Sequence, residues 1–222
     1  YMWDKQSAKT NDDYQAVWKM SFPEGNHIYM NLWMKGYEGR EIFSIKAPSC
    51  KAFRNNSSFP YEVNKEPFLT ISARQHGEAW NRPFVSIFEP STEKEGRSIV
   101  SIESFEPKNA SEDFVGLIVK SKNGRTDHIF SSGREERVTH NKIIVSGTYS
   151  VVSEQGTDFT LFLGNGKYLS AKGVTIEAKE TTNVVVEYKN GEYRATSEAP
   201  VTIKINKKTI KLLPGEYKKI TL

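Results

Sequence analysis

From Lys142 to the end of the chain, short runs of alternating apolar and polar residues follow one another, each closed by a turn signal. The runs are Ile143–Val152, Asp158–Leu163, Tyr168–Ser170, Val174–Ala178, Asn183–Lys189, Glu192–Ala195, Val201–Ile205, Thr209–Leu213 and Tyr217–Leu222. Between them stand Gly164-Asn165-Gly166, Asn190-Gly191, Asn206-Lys207 and Pro214-Gly215. Alternation sends successive side chains to opposite faces, so each run has one apolar face that only a second layer can cover. Turns at roughly 8–12-residue spacing point to a sandwich or barrel. No window of helical spacing competes. The expected fold is all-β: an antiparallel β-sandwich, or two packed sandwiches, with almost no helix.

The first part of the chain carries strands of the same kind with longer connections. Asp13–Met20 and His27–Met34 read as a pair joined by Ser-Phe-Pro-Glu-Gly-Asn, and Arg40–Ala47 as a third strand. Trp18 and Trp33 are expected in the core, and Tyr1–Asn11 frayed. Pro48–Pro67 reads as irregular and Arg134–Arg137 as a charged loop. Phe114–Ser121 and His128–Ser131 read as a hairpin closed around Asn123-Gly124. A soft boundary falls near Arg134–Asn141, dividing residues 1–138, a larger sandwich, from 139–222, a smaller C-terminal sandwich or second sheet layer.

The formal charge of +4 balances 31 basic against 27 acidic residues, interspersed along the chain. That is no nucleic-acid footprint. No apolar run approaches the roughly 20 residues of a membrane span, and no nucleic acid or membrane partner is expected. The opening YMWDKQSAKTNDD lacks the basic and apolar segments of a signal peptide, which suits an internal fragment or a mature form. The single cysteine, Cys50, excludes an intrachain disulfide and reads as a small packed residue.

His27, His76, His128 and His140 show no metal-ligand spacing, so neither a metal nor a cofactor is expected. No nucleophile-elbow or phosphate-loop motif occurs, and no catalytic residue is assigned. One constellation stands out. In Phe68–Glu89, two strand-like runs flank a polar connector in which Arg74, His76, Glu78, Trp80 and Arg82 recur at spacing two. If strand geometry persisted through them, all five would face one side. Arginine binds carboxylate or sulfate through two parallel hydrogen bonds, and an indole stacks on a pyranose. The ribbon therefore reads as a substrate-binding surface for an anionic sugar or a contact with a neighbouring domain, or else as a buried salt-bridge network holding the loop.

The blocks ISARQHGEAWNRPFVSIFEPST, NLWMKGYEGREIF upstream and KSKNGRTDHIF downstream resemble the C-terminal β-sheet part of heparinase II/III-like polysaccharide lyases. The resemblance runs from about Trp18 to about Phe130. It implies a parent enzyme in which an N-terminal α-helical toroid precedes antiparallel sheets and acidic glycans are cleaved by β-elimination. It also implies a periplasmic or extracellular location. In that family most catalytic residues come from the toroid, which this chain lacks, so no catalytic position transfers. The expectation is a non-catalytic sandwich region that supports the toroid and contacts acidic polysaccharide. The alternative is an autonomous carbohydrate-binding or accessory module.

Overall fold

A computed structural model describes residues 2–9, 11–48, 67–206, 208–215 and 217–220. Cys50 and the interior of the Pro48–Pro67 segment lie outside them. The described residues form sixteen strands and one three-residue 3₁₀ turn, Ala79–Asn81. The molecule is an antiparallel β-sandwich protein. It divides into two compact units: residues 1–17 with 32–88, and residues 18–31 with 89–222.

In the first unit, β1 (Trp3–Lys9), β4 (Arg40–Ala47) and β5 (Phe68–Gln75) form a sheet in the order β1-β4-β5. Trp3–Lys9, part of the Tyr1–Asn11 stretch expected to fray, is a paired strand: Ser7 pairs with Phe43 and Lys9 with Glu41 across the antiparallel ladder. A second three-stranded sheet has the order β2-β3-β6, from Tyr14–Ser21, His27–Met34 and Ser86–Thr92. Leu32, Trp33, Ile42 and Phe43 are buried, and Trp18 is half-buried.

The larger unit is built on β7 (Ile99–Phe105), β8 (Val115–Ser121), β9 (Thr126–His140), β10 (Ile143–Gln155), β11 (Asp158–Ala171) and β12 (Val174–Lys189). It is closed by β13 (Glu192–Ser197), β14 (Val201–Ile205), β15 (Lys208–Leu212) and β16 (Lys218–Ile220). Residues 134–141 lie in the end of β9 and its hairpin turn into β10, within one continuous sheet. The Arg134–Arg137 segment, expected as a loop, is strand: Glu136 pairs with Gly147 and Arg137 with Ser146 of β10, and its charged side chains find partners beyond that ladder. Glu136 accepts from the Ser111 amide (2.9 Å) and hydroxyl (2.8 Å), and Arg137 lies over the Tyr168 ring (4.2 Å).

The strands β9 to β12 are 13 to 16 residues long because each serves two layers. The first half of β12, Val174–Ala178, pairs with β14 and the second, Val184–Lys189, with β13. Register shifts interrupt β10 at Ser146–Tyr149 and β11 at Leu163–Tyr168. Across the shift in β10 the inward positions change phase, from Val145 and Gly147 to Ser150 and Val152, which is what one extra residue does. Both halves feed one apolar cluster: Val145, Leu169, Ile176 and Ile203 from one layer, Val152, Leu161, Val184 and Ala195 from the other.

Gly164-Asn165-Gly166, expected as a turn between strands, is thus a corner within β11. A Cβ on Gly166 would lie 2.6 Å from the Ser146 carbonyl and 2.8 Å from the Gly147 Cα, so only glycine admits this approach. Asn165 takes the left-handed conformation (φ 47°), its amide donating to Asn183 Oδ1 at 2.8 Å.

Candidate functional site

The β4–β5 ladder positions the first residues of the ribbon. Arg40 pairs with Gln75 and Glu41 with Arg74. Alternation turns Arg40 inward, where it is 1% exposed, and leaves Glu41 on the opposite face beneath Arg74. The Arg74 guanidinium donates to Glu41 Oε2 through Nε (3.0 Å) and Nη2. His76, two residues on and on the same side, meets the same oxygen at 2.9 Å. Hydrogen bonds from His76 and Arg74 hold the Glu41 carboxyl down to about 2. Lys9 lies 4.0 Å from the other oxygen, while Lys5 and Arg74 lie over the Phe43 ring. One carboxylate is thereby ringed by several cations, and the face carries net positive charge. Arg74 and His76 each keep more than half of their side chains in solvent.

Strand geometry stops there. β5 ends at Gln75, Gly77 adopts φ +82°, and the 3₁₀ turn Ala79–Asn81 carries the chain away. The conditional alternation of the ribbon therefore holds for Arg74 and His76 and ends before Glu78. Glu78 and Trp80 stand exposed in the loop, the indole at 82%. The half-buried Arg82 folds back and donates to the His76 carbonyl at 3.3 Å.

Sequence reasoning missed what fixes this loop. Arg40 donates from Nη1 to the Lys35 carbonyl (2.8 Å), from Nη2 to the carbonyls of Arg82 (2.9 Å) and Pro83 (3.2 Å), and from Nε to Gln75 Oε1 (3.1 Å). Its guanidinium carbon is 4.6 Å from the ring centres of both Tyr37 and Phe84. Burial pulls its pKa down, yet the four acceptors and two ring faces replace its hydration. Gln75 Nε2 donates to the carbonyls of Glu38 and His76. The loop is thus held at both ends by one buried cation and one amide. The signal was present as Arg40-Glu41 between Gly39 and Ile42, a charged pair at the head of an apolar strand.

Chemically, the arrangement offers guanidinium donors, an imidazole and an exposed indole on a net-positive surface, which suits binding of an anionic sugar. Among the described residues, no three His, Cys, Asp or Glu side chains converge as metal ligands, and no helix is long and apolar enough to cross a membrane.

Residues 102–188, from β7 into β12, match the model of the endo-acting ulvan lyase C-terminal domain family. Over 191 residues the chain is 28% identical to the endo-acting ulvan lyase of Formosa agariphila, an alignment covering 82% of this chain. The chain spans only 22% of the length of that relative. It is similar, in sequence and over most of its length, to part of a polysaccharide lyase, and within that likeness to the C-terminal domain of an ulvan lyase.

Proposed function

We propose that this chain is the non-catalytic C-terminal β-sandwich region of a polysaccharide lyase whose parent reaction is β-elimination of acidic glycans. The region supports a catalytic α-helical toroid carried elsewhere in a longer polypeptide and touches the substrate through Arg74, His76, Trp80 and Arg82. The kinship extends to heparinase II/III-like lyases through the blocks between Trp18 and Phe130, and the site of action is periplasmic or extracellular. The observation that carries the reading is the pairing of a net-positive Glu41-centred face with an indole left 82% in solvent on the adjoining loop. An indole exposed beside cations offers a flat face on which a sugar ring can stack while its acid group meets the guanidinium. Electrophoresis of the chain through gels containing ulvan, heparin or alginate tests the reading. Retardation by an acidic polysaccharide, relieved in Trp80→Ala, is expected, with no rise in ultraviolet absorbance from unsaturated uronate. Unaided depolymerisation would make the chain an enzyme in its own right and end this proposal.

The exposed indole equally favours a second reading, an autonomous carbohydrate-binding module. The two part company in a titration with the separately produced catalytic portion of the parent: specific association supports the first, its absence the second.

A further inference from the structure

At one end of the larger unit, two hairpin turns lie side by side. Asn141-Lys142 joins β9 to β10, and Lys172-Gly173 joins β11 to β12; all four residues have positive φ. Ile144 pairs with Ser170, so the turns are neighbours on one layer. Facing them from the other layer are His128, near the start of β9, and Glu154, near the end of β10. Between the layers opens a cleft of about 620 Å³. Its floor is the apolar end of the core, Ile143, Val152 and Ala171. That volume falls within the roughly 300–1,000 Å³ of small-molecule sites, which combine an apolar lining with a few placed polar groups.

The polar groups have a definite sense. Lys172 Nζ reaches across the mouth to Glu154 Oε2 at 2.5 Å, and His128 Nε2 lies 3.5 Å from Glu154 Oε1. Lys142 makes no ion pair with a described residue, so the cleft holds two ammonium groups against one carboxylate. His128 is 9% exposed, and its Nδ1 is buried without a hydrogen-bond partner. The cleft therefore has an unmatched cation, Lys142, at its rim, and a buried imidazole behind its carboxylate. A molecule carrying an anionic group beside hydroxyls meets that cation and offers donors to the Glu154 carboxylate.

We propose that this mouth is a second saccharide subsite, taking the acid group of an anionic sugar, carboxylate or sulfate ester, between Lys142 and Lys172 with the ring set against His128 and Glu154. The inference rests on the reading of the chain as part of a polysaccharide lyase for the class of ligand. It adds a contact on a different unit from the Arg74–Arg82 loop. Glu154 keeps lone pairs free for sugar hydroxyls, and Lys172, with three donors, can hold the bridge and the ligand together.

The test is amide chemical-shift mapping on the full 222-residue chain with three probes: tetragalacturonate, sulfated dextran oligosaccharide and maltotetraose. Both anionic probes, or one of them, are expected to shift amides at 140–144 and 170–174, and the neutral probe to leave them still. Which anionic probe acts tells carboxylate from sulfate. Lys142→Asn and Lys172→Asn keep the turns, since asparagine tolerates positive φ, and should together weaken binding about tenfold or more. Lys142→Asn alone, which breaks no ion pair, serves if the double variant folds poorly. Shifts confined to residues 74–84, untouched by the lysine substitutions, would overturn this inference and leave the proposed function standing. Shifts confined to the cleft would support it and remove the Arg74–Arg82 loop from the substrate-binding role. No shift anywhere with either anionic probe overturns both.

Discussion

The Nη2 group of Arg40 donates to the backbone carbonyl of Arg82 at 2.9 Å, so one arginine holds in place the loop that displays another. The first is 1% exposed between two aromatic rings, and the second is half-buried with its own guanidinium turned back on the His76 carbonyl. The exposed tryptophan between them inherits its position from this double tie.

Arg40→Met should therefore destabilise the chain by about 3–5 kcal/mol, because four acceptors lose their donor inside the protein. Arg40→Lys should rescue little, since an ammonium cannot span the divergent acceptors or lie flat between Tyr37 and Phe84. Urea unfolding measures both, and a lysine variant of wild-type stability would show that charge alone suffices.

Trp80→Ala should leave stability within about 0.5 kcal/mol, as expected for a side chain mostly in water. Polysaccharide binding should fall in the same variant, by more than about 1 kcal/mol if the indole is a binding hot spot. Thermal melts and titrations on one preparation separate the two effects.

The Glu41 carboxyl should titrate near 2 rather than in the ordinary carboxylate range around 4.5. Its folded value is depressed, so its pairing with His76 and Arg74 is at full strength above that ordinary range and fades as pH falls toward 2. Carbon-detected NMR of the glutamate carboxyls reads the midpoint directly. His76→Ala should raise it, and Arg74→Ala should raise it as well; a midpoint left near 4.5 in the unsubstituted chain would deny the shared hydrogen bonds.

Gly166→Ala should cost about 1–3 kcal/mol or more, because the added carbon meets backbone atoms of β10 at 2.6–2.8 Å. Gly191→Ala, at φ +83° with nothing within 4 Å, should cost only about 1–2 kcal/mol from the left-handed conformation. Equal losses at the two positions would remove the close approach as the reason for glycine in the corner.

The alternation of apolar residues made the all-β sandwich legible, and Asn190-Gly191, read as a turn between strands, joins β12 to β13 in a tight hairpin. Gly164-Asn165-Gly166 misled because a tight turn and a corner within one strand need the same residues: small, tolerant of positive φ, free of side-chain bulk. Only the pairing partners, distant in sequence, decide between them. Of the ribbon, Arg74 and His76 share a side as their spacing requires, and both find Glu41, which no local pattern announces. Glu78, Trp80 and Arg82 escape the alternation because Gly77 and a 3₁₀ turn end the strand. Arg40 was overlooked for a simple reason: a cation at a buried strand position looks like an exposed one until its carbonyl acceptors, up to 43 residues away, are in place.

Because β9 to β12 each run through both layers, bending at their register shifts, loosening one layer disturbs the strands that build the other. Peeling β14 from β12 loosens the same polypeptide ribbon that β13 grips further along. Amide exchange across the larger unit should consequently be lost in concert, with one rate-limiting opening shared by Val145 and Val152 alike. A module built this way opens as a single clasp, because the same four strands are stitched into both layers.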